Sequence, residues 1–343
     1  MLRGVVIGLG AMGRNHARVL REIDNGVELV AVSDLDLQRA AKVGDCYGVP
    51  YFTNYVEMLE VFHPDFAVLA VPTSLHCKIG LDLIEREIPV LIEKPIASTI
   101  EEGKRLCEAA ERKGVTLGVG YIERFNPVVN ALRQKLDEGM LGHIYKIQAQ
   151  RLSPYPSRIQ DVGVVIDLAT HDIDLFRYLM ADNQIERLYS ATRSTINSDR
   201  EDMFVGVAHF HSGAVGLLDV NWMTPAKIRA LTITGAFGMF SCNLLSQELF
   251  FYENDDKPSG WDALSTLRGV TQGNVLGINI QRFEPLTAEV RDFADAILKQ
   301  AKPRVTGRDA LETLKLALEF VQSGQEGQIV VRSSEAEPAG VAP

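Results

Sequence analysis

The chain has 343 residues, 46% hydrophobic and 23% charged, with 14 prolines; it is too long for one core of roughly 100 to 200 residues and too apolar for a disordered or fibrous chain, so two domains are expected. Thirty-five Lys and Arg against 45 Asp and Glu leave a net charge of −10, the wrong sign for a surface that attracts nucleic acid or anionic lipid, so any anionic ligand needs a local basic patch. No run approaches the ~18 apolar residues of a membrane span, and MLRGVVIGLG leads into a strand instead of a signal peptide, so a cytoplasmic protein is expected.

Residues 4 to 119 alternate apolar, β-rich runs with segments of helical period. VVIG is followed by a helix over 11–22, ELVAVSD by one over 36–46, and a short strand at 50–53 by one over 54–62. FAVLAV then precedes a helix at 75–87, PVLIE precedes one at 99–113, and VTLGVGY closes the series. The strands are apolar at consecutive positions, as expected when helices bury both sheet faces. The alternation therefore reads as a doubly wound, parallel Rossmann sheet over 1–121.

Directly after the first strand stands Gly8-Leu9-Gly10-Ala11-Met12-Gly13. Gly8 permits the tight turn, Gly10 lets a pyrophosphate approach the backbone, and Gly13 lets the helix pack on the strand while its first amides face the phosphates. The second strand ends at Asp34, where a carboxylate accepts hydrogen bonds from an adenosine ribose and repels a 2′-phosphate. Arg39 reads as lying further along the next helix. NAD is therefore expected over NADP. Glycines that serve only turn packing are the plainer alternative. SAM does not need three glycines at this spacing, and FAD calls for a further motif.

Two more strand ends fall at the carboxyl edge, where open α/β folds bind ligands. One carries Pro72, Thr73 and His76; the other carries Glu93-Lys94-Pro95. The Lys94 ammonium is expected at the crevice where a nicotinamide lies, able to polarise an oxygen or lower an alcohol's pKa. An ordinary surface lysine is the alternative of equal weight.

After Tyr121 the pattern changes. A helix near 127–137, a strand at 143–152 and a helix near 165–180 precede strands at 184–194, 202–211, 214–222, 226–235, 237–243 and 247–252. Residues 253–282 read as a polar, glycine-rich connection, and helices follow at 287–300 and 307–323. This half reads as an α+β domain over 122–331, a large, mostly antiparallel open sheet with helices on one face, followed by a flexible tail at 332–343. Long strands with an uncovered face suggest a homodimer or homotetramer paired sheet to sheet.

Asp167 and His171 stand four residues apart on the helix near 165–180, so both occupy one face. The carboxylate can hold one ring nitrogen and leave the other for a proton, a general acid/base arrangement that suits a carbinol losing hydride and proton together. Acids that favour the helix dipole beside a packed histidine are the plainer alternative. No metal is expected. This pair lacks a third ligand at familiar spacing, His209 and His211 read as a solvated sheet face, and Cys46, Cys77, Cys107 and Cys242 are too scattered for zinc or a redox pair.

On GLGAMG at 8–13, EKP at 93–95 and the Asp167/His171 pair, in that order, the chain resembles the Gfo/Idh/MocA oxidoreductases from its first strand to about residue 330. The resemblance implies that Lys94, Asp167 and His171 face the nicotinamide and carry proton transfer, and that the Thr73 and His76 region contacts the cofactor ribose. The chain departs in having only Gly163 before Val164-Val165, where many members carry several glycines.

GYIERFNPVV at 120–129, RLSPYPSRIQDVGVVIDLATHDIDL at 151–175 and NWMTPAKIR at 221–229 further resemble the branch that oxidises the 3-hydroxyl of UDP-N-acetylglucosamine ahead of transamination. That substrate implies cations for a pyrophosphate, with Arg124, Arg151, Arg158, Lys227 and Arg229 as candidates. Tyr121, Tyr155 and Trp222 are candidates to stack on uracil or cover the sugar, with Asn126 beside them. Solvated arginines and packed aromatics are the plainer alternative. The expected function is NAD-dependent oxidation of a UDP-sugar. The alternatives are oxidation of a free polyol such as inositol or a sugar acid, and a non-catalytic NAD-binding sensor.

Overall fold

The computed structural model describes residues 1–23, 26–156, 162–181, 184–196, 200–255 and 271–332; Arg158 and 333–343 lie outside the described residues. The chain begins with β1 (Leu2–Ile7), α1 (Ala11–Glu22), β2 (Val27–Ser33), α2 (Leu37–Tyr47), β3 (Tyr51–Phe52), α3 (Tyr55–Phe62), β4 (Phe66–Leu69), α4 (His76–Glu85), β5 (Val90–Glu93), α5 (Ile100–Lys113) and β6 (Leu117–Gly120). There follow α6 (Pro127–Asp137), β7 (Ile144–Leu152), α7 (Thr170–Met180), β8 (Ile185–Arg193), β9 (Met203–Phe210), β10 (Val215–Asn221), β11 (Ile228–Gly235), β12 (Gly238–Asn243), β13 (Glu248–Asp255) and β14 (Thr271–Ile278). Helices α8 (Pro285–Lys299) and α9 (Gly307–Glu326) and strand β15 (Val330–Val331) complete the described chain. Two compact units result: Met1–Asn126 with Phe283–Lys315, and Pro127–Arg282 with Leu316–Pro343.

The first unit carries a six-stranded sheet in the order β3-β2-β1-β4-β5-β6 with every pairing parallel, the strand order of dinucleotide-binding sheets. Val5, Val6, Ile7 and the whole of β4 are buried, which explains their consecutive apolar residues. Helix α8 belongs to this unit. Its Leu286, Val290, Phe293 and Ala294 join the cluster of Val6, Val68 and Leu91, Phe293 meets Phe66 edge-on at 6.0 Å, and Glu284 just before it pairs with Arg18 of α1.

The second unit carries a nine-stranded sheet, β14-β13-β12-β11-β7-β10-β9-β8-β15, in which β7 and β10 pair in parallel and the other neighbours are antiparallel. One face is a core: Phe204, Leu218, Leu231 and Phe240 from the strands pack with Phe176 of α7 and Phe320 of α9. Alternate residues such as Tyr189, Val205 and Phe250 are exposed on the other face. Strand β14 lies inside the stretch read from sequence as a connection; Gly273 and Gly277 break its apolar alternation, and pairing with β13 makes it a strand all the same. No helix among the described residues is long and apolar enough to cross a membrane.

Glu289 on α8 is buried, and neither carboxyl oxygen has a hydrogen-bond partner among the described residues. Burial first, and the nearby charge of Glu93 second, push its carboxyl well above the ordinary carboxylate range. The folded chain therefore holds a proton that the unfolded chain releases near pH 4.5, and stability falls as pH rises through the window between the two values. Glu289→Gln removes this dependence. In thermal melts the variant should gain on the native protein at about 1.4 kcal/mol per pH unit across that window; a difference independent of pH would show that the folded carboxyl is not held neutral.

Candidate active site

The carboxyl edge of the first sheet gathers the glycine turn, Asp34 and the EKP segment. β1 ends at Ile7, and Gly8 turns the chain at φ +89°. A Cβ on Gly13 would lie 1.8 Å from the Gly8 carbonyl oxygen, so only glycine lets α1 start this close to the strand. Gly10 caps α1 without any side-chain bond to its first amides, and the space beside its α-carbon is open. A 12-residue helix with uncapped amides behind an open glycine fits a dinucleotide pyrophosphate.

Asp34 is bonded into the same turn. One oxygen accepts the Leu9 amide at 2.7 Å and the other the Asp36 amide at 2.9 Å. The reading of Arg39 as distant from Asp34 is corrected here: its guanidinium stands 3.3 Å from the carboxylate. Asp36 caps α2, which starts Arg39 in the first turn, and the long side chain folds back. The pairing leaves the acid free to accept ribose hydroxyls with its remaining lone pairs but weakens its repulsion of a 2′-phosphate.

Glu93 closes β5 pointing inward. Its carboxylate meets His16 of α1 at 2.7 Å, both groups buried, and also accepts the Lys94 amide at 3.3 Å. His76 likewise turns inward, its two ring nitrogens 2.9 Å from the Pro95 carbonyl and 3.0 Å from the Val71 carbonyl. Burial lowers its proton affinity against the pull of these carbonyls. A neutral ring has one N–H and so donates to one of these carbonyls; given to Pro95, that bond ties the segment after β4 to the loop after β5. Glu93 and His76, expected as cofactor ligands, brace the loops that carry Pro72, Thr73 and Lys94. Pro72 is exposed, and Thr73 and Lys94 are half-buried.

In the second unit the chain enters α7 through a π turn, Val165–Ala169, in which the Thr170 amide reaches back to the Val165 carbonyl. Asp167 lies in this turn and His171 in the first turn of α7, both half-buried. The expectation of one regular helix is corrected: the turn joining the pair is a residue wider than an α turn. Gly163 makes the entry possible. A Cβ there would fall 2.0 Å from the Glu201 carboxylate, which accepts the Val165 amide at 3.3 Å while the Glu201 carbonyl accepts Val164. One glycine suffices because an acid from a neighbouring segment caps the turn.

The expected substrate residues divide sharply. Arg151 is buried, and its guanidinium grips Asp172 through two bonds of 2.7 and 2.9 Å. Arg124 is buried, donating to the Arg304 carbonyl, and Arg229 donates to the Leu152 and Ile228 carbonyls. All three guanidiniums are thus engaged with groups of the chain itself. Tyr121 and Asn126 are buried, Asn126 donating to Glu123. Trp222 is 2% exposed and belongs to the core, with Tyr155 half-buried against its edge at 5.8 Å. Lys227 is exposed. Among the described residues no group of His, Cys, Asp or Glu could hold a metal. Sequence reasoning passed over His16, Glu201 and Glu289 and read Asp172 only as an acid that favours the helix dipole; the spacing of His16 three residues after Gly13, on the buried side of α1, was the one available signal.

Two family models match the chain in succession: an oxidoreductase family, NAD-binding Rossmann fold over residues 2–121, and a GFO/IDH/MocA C-terminal domain over 129–241. The UDP-N-acetylglucosamine 3-dehydrogenase of Acidithiobacillus ferrooxidans is 26% identical over 296 residues, 86% of this chain and 88% of that protein. A solved structure of the enzyme from that organism superposes with a TM-score of 0.82 over 95% of this chain and 98% of that one, at 25% identity. The scyllo-inositol 2-dehydrogenase (NAD(+)) of Bacillus subtilis is 27% identical over 342 residues, 96% of each. The WlbA dehydrogenase of Bordetella pertussis, solved with NADH and UDP-GlcNAcA, shares the fold at 21% identity, with a TM-score of 0.81 over 97% of this chain and 99% of that one.

Gly163→Ala should push the Glu201 carboxylate off the Val165 amide and cost about 1 kcal/mol, the usual worth of a helix cap. Glu201→Ala should cost about the same, and the double variant little more than either, because both changes remove one bond. Urea denaturation measures this; fully additive losses would mean that the two residues act separately.

Proposed function

Because the chain belongs to the Gfo/Idh/MocA family of NAD-dependent oxidoreductases, we propose that it oxidises the 3-hydroxyl of a UDP-sugar, UDP-N-acetylglucosamine foremost, to the ketone ahead of transamination. The observation that carries this choice is the likeness to UDP-N-acetylglucosamine 3-dehydrogenase along 86% of the chain. The segments at 120–129, 151–175 and 221–229 support it. A second reading, oxidation of a free polyol, is supported by 27% identity to scyllo-inositol 2-dehydrogenase along 96% of the chain.

The amides of Ala11, Met12 and Gly13 would hold the cofactor pyrophosphate and Asp34 its adenosine ribose. NAD, when bound, would supply the acceptor for the hydride that the carbinol carbon loses. Lys94 lowers the pKa of the hydroxyl, and His171, oriented by Asp167, takes its proton, so that charge does not build up on the oxygen. Of the residues expected to bind substrate, Tyr155, Arg158 and Lys227 are retained as those that recognise the nucleotide. The open face of the second sheet supports assembly as a homodimer or homotetramer, for which light scattering of the native protein supplies the mass.

Lys94→Ala and His171→Ala should each lower kcat about 100- to 10,000-fold with NAD affinity nearly unchanged. Asp34→Ala should instead raise the Kd for NAD roughly 10- to 100-fold. The substrate is tested by following NADH formation with UDP-N-acetylglucosamine, other UDP-sugars and inositols, with hydrazine present to trap the ketone. Turnover of inositols alone would replace the first reading with the second.

A further inference from the structure

We infer that the buried Arg151–Asp172 ion pair is a positioning device for His171, fixing the register and rotation of α7 so that the imidazole one residue away keeps a single orientation. The inference deepens the proposed function and rests on its assignment of proton transfer to His171.

The pair joins β7 to the first turn of α7. Its two bonds, Nε to Oδ2 at 2.7 Å and Nη2 to Oδ1 at 2.9 Å, form a fork that sets the planes of both groups, and the side chains are 4% and 2% exposed. Buried ion pairs gain little stability over apolar groups of the same volume; their best-attested use is to select one register among several.

Helix α7 needs such selection. Eight of its eleven residues are buried, so the contrast between an apolar and a polar face, which ordinarily orients a helix, is weak here. The π turn adds a second freedom. It amounts to one extra residue in the helix, and sliding that residue along the chain exchanges one set of backbone bonds for another of the same kind while rotating every side chain it passes. Two polar anchors bracket the π turn. Glu201 holds the Val165 amide on its amino-terminal side, and Arg151 holds Asp172 just beyond it. Asp167 and His171 lie between these anchors, so the extra residue cannot move past either without breaking one.

The test replaces the pair with apolar residues of similar size, Arg151→Met with Asp172→Leu, and separately weakens it with Arg151→Lys, which keeps the charge and loses the fork. Each is made in the native and His171→Ala backgrounds. In nitrogen–proton spectra of protein labelled at its seven histidines, the ring signals of His171, assigned by their loss in His171→Ala, should split or broaden in the paired variant while the other six stay in place. The kcat should fall about 10- to 100-fold, as expected for misplaced catalytic groups, with NAD affinity unchanged. Neither change should lower kcat further once His171 is alanine.

Arg151→Lys, with its smaller structural demand, should show the same pattern in lesser degree and decides the matter if the paired variant does not fold. A sharp, unshifted His171 signal with kcat within twofold overturns the inference, as does an equal loss of kcat in the His171→Ala background, which would mark the pair as merely structural. Full turnover by His171→Ala itself overturns the proposed role of His171, and this inference with it.

Discussion

A parallel sheet delivers the carboxyl end of every strand to one edge, because each right-handed crossover returns the chain to the opposite side before the next strand begins. The first unit follows from that constraint. Gly8–Gly13 emerges after β1, Asp34 after β2, Val71–His76 after β4, Glu93–Pro95 at the end of β5 and Tyr121 after β6, so residues spread over more than a hundred positions become neighbours before any side chain has bonded to another. The side chains then join the loops: Asp34 to the glycine turn, His76 to the loops after β4 and β5, and Glu93 to α1 through His16.

Both units place ionisable groups inside their cores, and in both the groups hold backbone segments near candidate chemistry. His16 and Glu93 sit behind the EKP turn, and Arg151 and Asp172 behind the start of α7. Desolvating such groups opposes folding, and their mutual attraction offsets that only when the geometry is good. Glu289 shows the other resolution available to a buried acid, which is to stay neutral.

Elements with strong periodicity could be read from the residues alone. The alternation over residues 4 to 119 maps onto six strands and five helices, and the run of strands from Ile185 to Asp255 onto β8 to β13. What escaped was set by contacts that periodicity does not encode. The π turn depends on an acid 38 positions beyond Gly163, β14 on a partner strand that overrides its glycines, and the sheet covered by α8 on a surface no feature of that helix names. Charge was the least legible property: Arg151, Arg124 and Arg229 read as surface cations, because a one-dimensional string does not distinguish a guanidinium in water from one gripped by a carboxylate or by carbonyls.

The first unit is assembled from two separated stretches of chain, Met1–Asn126 and Phe283–Lys315, and this shapes its birth on the ribosome. When Asn126 leaves the exit tunnel, the patch around Val6, Phe66 and Leu91 that α8 later covers is still bare. Residues 127–282 must be translated before that cover exists, a delay of roughly ten to thirty seconds at ordinary elongation rates. During that interval the nascent chain leaves an apolar patch uncovered, the kind of transient surface that invites aggregation and that chaperones bind.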